Sequence, residues 1–181
     1  MPTGTILLWP GEVTLPDGTA SNAFAQAQVA KSTGTAPTNG PVLHFTELLF
    51  DGTTQEHVFF GFRMPQDYSS GGTAKIQWKR ASGTGAADVV WLCCLAALTP
   101  GAAEVPNSKS LPAPDSATTA AGTTSQALVE TSIALSATAL NSVAAGDYVL
   151  LMLGRDADAA ADTLNAVDVQ VVTAAIEYTT T

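Results

Sequence analysis

One stretch narrows the folds open to this chain more than any other: Gly146-Asp147-Tyr148-Val149-Leu150-Leu151-Met152-Leu153-Gly154-Arg155-Asp156. A Gly-Asp turn feeds six consecutive apolar residues, and the run stops abruptly at a Gly-Arg-Asp corner. An apolar run of this length bounded by turn formers fits a strand covered on both faces, because a helix needs about ten or more residues. The later strands are expected to pair back onto it, and the earlier ones to build the opposite wall.

The other segments read the same way. Gln55–Met64 alternates Val58, Phe60, Phe62 and Met64 on one face against His57, Phe59 and Arg63 on the other. A hairpin turn, Asp51-Gly52-Thr53-Thr54, separates it from Val42–Phe50. Thr73–Arg80 alternates most cleanly, with Ala74, Ile76 and Trp78 inward and Lys75, Gln77 and Lys79 outward. Lys75, Lys79 and Arg80 are the densest basic group and read as a solvated face. Asp88–Leu98 is apolar on both parities and suits a central strand. Gln126–Ser136 and Val167–Tyr178 complete the set, the latter with a parity switch near Val171 that predicts a bulge. Pro65–Gly72 reads as a loop. The long Thr99–Ser125 stretch is expected to hide a weak edge strand near Ser108–Leu111 or to project toward a partner. Ala137–Val143 suits one helical turn.

About eight strands without a sustained helical period predict an all-β, antiparallel two-sheet sandwich of jelly-roll type over residues 41–181. Residues 1–40 differ. Thr5–Trp9 suits a short strand and Asn22–Val29 alternates weakly, but Pro10-Gly11, Pro16-Asp17-Gly18 and 33–40 are turn chemistry. This segment is expected to be a partly extended N-terminal arm.

Composition limits function. Sixteen acidic against seven basic residues give a net charge of −9, which repels nucleic-acid backbones. Charged residues make up 13% of the chain, against about 25% in ordinary domains, which suggests a surface partly covered by other subunits. Cys93 and Cys94 are adjacent, so a disulfide between them is not expected. Neither a signal peptide nor a membrane span is legible, and synthesis in a reducing bacterial cytoplasm is the expectation.

No catalytic set emerges. Asp156, Asp158, Asp162 and Asp168 bring carboxylates near one another, but they lack the glycine and closing glutamate of a calcium loop, so a turn with Arg155 paired to Asp156 or a neighbour is preferred. His44 and His57, with Glu47 and Glu56 nearby, fall short of zinc-ligand spacing. Glu47, Glu56, Asp67 and Asp88 form no motif for glycoside cleavage. Of the aromatics available for a sugar platform, Trp78 and Trp91 lie in phase with core residues. Trp9, Tyr68 and Tyr148 remain, Tyr68 being the one expected to be accessible. The reading is therefore non-enzymatic, with no metal and no cofactor.

The ordered features LLFDGTTQEHVFFGFRMPQDY, AKIQWK, VVWLC and GDYVLLMLGRDADAAADTL…VDVQVVTAAIEY resemble jelly-roll virion proteins of tailed bacteriophages over residues 41–181. That resemblance implies a structural virion protein, above all a capsid decoration or cement subunit on the capsid surface. Its implied partners are the major capsid protein and neighbouring virion subunits, with a homotrimer favoured and no nucleic acid or membrane bound. Arm residues Trp9 and Phe24 would then serve as apolar anchors, with Tyr68 a further contact. The alternative is a carbohydrate- or receptor-binding module of a tail fibre or spike.

Overall fold

The computed structural model describes residues 2–16, 25–32 and 40–181. Phe24 lies outside the described residues. The strands are β1 (Thr3–Leu8), β2 (Val13–Thr14), β3 (Ala25–Gln26), β4 (Gln28–Lys31), β5 (Thr46–Phe50), β6 (Glu56–Arg63), β7 (Tyr68–Arg80), β8 (Asp88–Leu98), β9 (Asp115–Ala120), β10 (Val129–Ala134), β11 (Tyr148–Arg155) and β12 (Val169–Thr180).

They form two sheets. Sheet A runs β10-β7-β12-β5-β4, with β1 also on β12, and sheet B runs β2-β6-β11-β8-β9, with β3 parallel to β6. Without β1 to β4, the two orders, β10-β7-β12-β5 and β6-β11-β8-β9, are those of a jelly roll. The fold is an all-β sandwich of that type. Strand β11 pairs with β6 and β8, whereas β12 belongs to the opposite sheet. The expectation that everything C-terminal returns to β11 is therefore corrected. Both edges of β11 are already occupied, and the last strand crosses to sheet A.

Alternation decides what the sandwich buries. Val149, Leu151 and Leu153 meet Phe60, Val58, Leu95 and Cys93 across sheet B, while Leu48, Phe50, Ile76, Trp78, Val171 and Ile176 line the inner face of sheet A. Trp91 joins the two layers: its ring lies 5.2 Å from Phe50 in an edge-on contact and 5.7 Å from Trp78. The Trp78 indole donates to Thr131 Oγ1 at 2.8 Å, so its polar end is satisfied within the core.

The bulge falls where the parity switch places it, between Val171 and Thr173 of β12. Leu140 N–H donates to Ser136 O at 2.9 Å, closing one helical turn before β11. Strand β7 begins at Tyr68, so most of the expected 65–72 loop is strand. The weak edge strand lies at Asp115–Ala120, beyond Ser108–Leu111. The first 40 residues supply edge strands to both sheets. At Gly4, a Cβ would stand 2.2 Å from the Tyr178 ring, so only glycine lets β1 approach β12 this closely.

His57 of β6 is buried on sheet B, and Ala27 N–H donates to its backbone carbonyl at 3.3 Å. Burial pulls the imidazole down to about 4 from 6.5. A lowered folded pKa means that the unfolded chain takes up the proton first, so the folded state loses stability as pH falls from 6.5 toward 4. Complete protonation would cost at most about 3 kcal/mol. Urea midpoints at pH 7 and pH 4.5 should therefore converge in His57→Asn relative to the parent; equal pH dependence in both chains would contradict this.

Candidate functional site

The outer face of sheet A carries the most developed constellation. Paired positions share a face, so β10 contributes Glu130 and Ser132, β7 Lys75, Gln77 and Lys79, β12 Glu177, Ala175, Thr173 and Gln170, and β1 Thr5 and Leu7. Together Thr5, Leu7, Lys75, Gln77, Glu130, Thr173, Ala175 and Glu177 line a shallow groove of about 230 Å³. Lys75 Nζ lies 2.9 Å from Ser132 Oγ, 3.6 Å from Glu130 Oε1 and 3.9 Å from Glu177 Oε2. The Gln77 amide donates to Glu130 Oε2 at 3.3 Å. These groups are half-exposed, so each ion pair adds little stability and retains capacity for an incoming ligand.

Trp9 extends this face. Its backbone remains extended (φ −93°, ψ 136°) beyond the end of β1, so it keeps the parity of Thr5 and Leu7. The indole is 52% exposed and Leu7 is 56% exposed. Trp9 is thus accessible, although the sequence reading expected accessibility only of Tyr68. Tyr68 is not: it is buried at the start of β7, its ring 5.8 Å from Tyr178. The proline-led loop that seemed to present it is too short, because β7 begins on that residue. Tyr148 is exposed on the outer face of sheet B, away from the groove.

Two members of the expected solvated basic face are buried. Arg80 donates to the carbonyls of Ser82, Gly85 and Gly122, closing the turn after β7. Lys79 lies beneath the Phe45 ring, with Nζ 5.3 Å from its centroid. Arg80 buries because these carbonyls replace water, and Lys79 because Gln126 Oε1 at 2.8 Å, the Glu47 carboxylate and the Phe45 ring do so.

The other sequence candidates disperse. Arg155 is fully buried and pairs with Asp162, not Asp156: Nε donates to Oδ2 at 3.0 Å and Nη2 to Oδ1 at 2.9 Å. It also donates to the carbonyls of Asp51, Val167 and Leu164. Asp168 accepts from Gly52 N–H, and Asp158 is exposed. The acidic loop is thus held by one arginine, and no group of three metal-ligating residues occurs among the described residues. His44 Nδ1 lies 2.8 Å from Ser32 O, whereas His57 is buried on the other sheet. Burial pushes the Cys93 thiol well above its usual value and Cys94 up to about 12, so neither offers a thiolate nucleophile. Glu56 is raised mainly by burial, with the Asp51 and Asp168 carboxylates adding to it; its Oε2 accepts from Asp51 N–H at 2.7 Å.

A second groove crosses the outer face of sheet B. It measures about 280 Å³ and is mainly apolar, lined by Leu15, Pro16, Phe59, Ala96, Leu111 and Leu150. It offers few hydrogen-bonding groups.

No family model and no curated protein matches this chain. Among solved structures it is similar to the CBM22-1 xylan-binding domain of Paenibacillus barcinonensis Xyn10C, at 11% identity and a TM-score of 0.42, over 92% of this chain and 93% of that one. It is similar to a family 16 carbohydrate-binding module-2 at 11% identity and 0.33, over 84% and 85%. Tripeptidyl peptidase 2 matches at 10% identity and 0.34, over 97% of this chain but 16% of that one. Likeness at this level carries no functional assignment.

Proposed function

We propose that the protein is a non-enzymatic binding module whose sheet A groove takes up a segment of a glycan chain. One observation carries this reading: exposed Leu7 lines an open groove whose other lining residues supply an amine, an amide, two carboxylates and two hydroxyls, and exposed Trp9 follows two residues later in extended backbone. Sugars present alternating C–H faces and hydroxyl rims. The first stack on an aromatic ring, and the second exchange hydrogen bonds with groups that both donate and accept. Carboxylates and ammonium groups make the stronger, charge-assisted versions of those bonds. The mainly apolar groove on sheet B offers only the Thr14 hydroxyl and the Lys109 ammonium, and no carboxylate or amide side chain. Neighbouring proteins named for xylan and carbohydrate binding share the sandwich, but the proposal rests on this face alone.

A glycan array probed with the parent chain and with Trp9→Ala tests the reading. The parent should bind at least one glycan class, and Trp9→Ala should weaken that binding tenfold or more, corresponding to about 1.4 kcal/mol. Absence of binding by the parent, or equal binding by the variant, would contradict it.

The virion reading stands as a second proposal, of a capsid decoration subunit or of a fibre module carrying this groove. It is favoured by the low share of charged residues and by exposed Leu43, Val105, Leu128, Leu7 and Trp9, since scattered apolar side chains on a charge-poor surface suit subunit contacts. A trimer in solution that binds no glycan would favour the shell subunit; a glycan-binding chain of any mass favours the module.

A further inference from the structure

We infer that the chain cross-links itself, joining Lys79 to Gln170 through an isopeptide bond formed with the help of Glu47. These residues sit at the far end of the outer face of sheet A, one each on β7, β12 and β5. Lys79 and Gln170 are direct cross-strand partners. All three are buried, at 6%, 7% and 1% exposure respectively. Glu47 lies between the other two: Oε2 is 3.3 Å from Lys79 Nζ, an ion-pair contact without hydrogen-bond alignment, and Oε1 accepts from the Gln170 amide at 2.5 Å. Among the described residues, the buried Gln170 carbonyl oxygen has no hydrogen-bond partner. Phe45 covers the ammonium, and its backbone is tied to buried Ser32 by Phe45 N–H to Ser32 Oγ at 2.9 Å and Ser32 N–H to Phe45 O at 2.8 Å.

Ordinary structural needs do not call for this grouping, because a buried ion pair contributes little net stability and an orphaned amide oxygen costs some. It suits amide exchange. The Lys79 ammonium passes one proton to Glu47 Oε2, freeing the nitrogen lone pair. That nitrogen adds to Gln170 Cδ, and negative charge develops on the unpartnered oxygen. Half a turn about the amide brings this oxygen to Glu47, whose acquired proton it can share. A second Lys79 hydrogen moves to the amide nitrogen, the Cδ–Nε2 bond breaks, and the nitrogen leaves as ammonia. It takes the proton from Glu47 and departs as ammonium, so the carboxylate is regenerated. Atoms and charge balance, and no oxidant or co-reactant is required. Cross-strand pairing holds both side chains against the Glu47 carboxylate, so their encounter is intramolecular, and the aromatic cover excludes water that would compete.

The bond would lock one end of sheet A, where the start of β12 meets the end of β7 beside β5. Intact-mass spectrometry of the denatured full chain should show the loss of one ammonia. Its peptide map should contain a linked pair spanning Lys79 and Gln170. Glu47→Gln and Lys79→Arg should return the full mass, with near-ultraviolet circular dichroism confirming a folded sandwich. If a variant fails to fold, the parent's peptide map decides. Full mass in the parent would overturn the inference. So would ammonia loss mapped elsewhere, as at Gln126, whose Oε1 accepts from Lys79 Nζ at 2.8 Å.

Discussion

Arg155→Met should lower the stability of the fold by about 3–5 kcal/mol, the usual cost of removing one partner from a buried ion pair. The guanidinium makes five hydrogen bonds: two to Asp162 and one each to the carbonyls of Asp51, Val167 and Leu164. Methionine fills comparable space but leaves a buried carboxylate whose remaining partner is Val90 N–H, together with three carbonyls that lose this donor. The penalty is therefore mostly that of stranded polar groups, not of lost attraction. Domains of this size hold about 5–15 kcal/mol in total, so the variant should be marginal. With a urea slope of about 2 kcal/mol/M, the midpoint should fall by about 2 M. Adding Asp162→Leu should recover part of the loss, because an apolar pair leaves no charge to solvate. A single variant within 1 kcal/mol of the parent would mean that the loop after β11 is held by something else.

Trp91→Ala is the second large effect, at about 3–5 kcal/mol. Trp91 is fully buried on β8 and touches Phe50 and Trp78 of the other sheet. Deleting it opens a cavity at the junction of the layers, which two long sheets cannot close without shearing. Among the described residues its indole N–H has no hydrogen-bond partner. Trp91→Phe therefore removes an unsatisfied donor along with part of the ring, and should cost much less than the alanine variant. Tryptophan fluorescence and urea titration of both variants measure the difference. Equal losses would show that the aromatic contact itself contributes little.

Strands whose side chains alternate against a single core were legible, as in Gln55–Met64 and Thr73–Arg80, and so was the continuous apolar run of Asp88–Leu98; each matches its strand to within a few positions. The bulge near Val171 was equally legible, because a parity change leaves no other simple account. Strand β9 was not. Asp115-Ser116-Ala117-Thr118-Thr119-Ala120 has no large apolar residue and owes its conformation to pairing with β8, a tertiary effect that local pattern does not carry. Tyr68 misled for a related reason, since Ser69-Ser70-Gly71-Gly72 looks like loop but pairs with the last residues of β12.

The candidate site was legible only in part. Trp9 stood out as an aromatic in a weakly patterned segment, yet its company could not be read from sequence. Glu130, Lys75 and Glu177 meet because β10, β7 and β12 are neighbours, an order no local signal encodes. The same holds for Glu47, Lys79 and Gln170. Arg155 chose Asp162 over Asp156 because adjacent strand residues face opposite ways, while the returning loop carries Asp162 back beneath the guanidinium.

The central claim, that the sheet A groove receives a glycan, is tested most directly by titrating isotope-labelled protein with cellohexaose, chitohexaose and an oligogalacturonate. Chemical-shift changes would be read residue by residue. At least one probe should move the Trp9 indole signal and the amides of Leu7, Lys75, Gln77, Glu130, Thr173 and Glu177, leaving Phe59, Ala96 and Leu150 on sheet B unmoved. No change with any probe, or changes confined to the sheet B groove, would contradict the account.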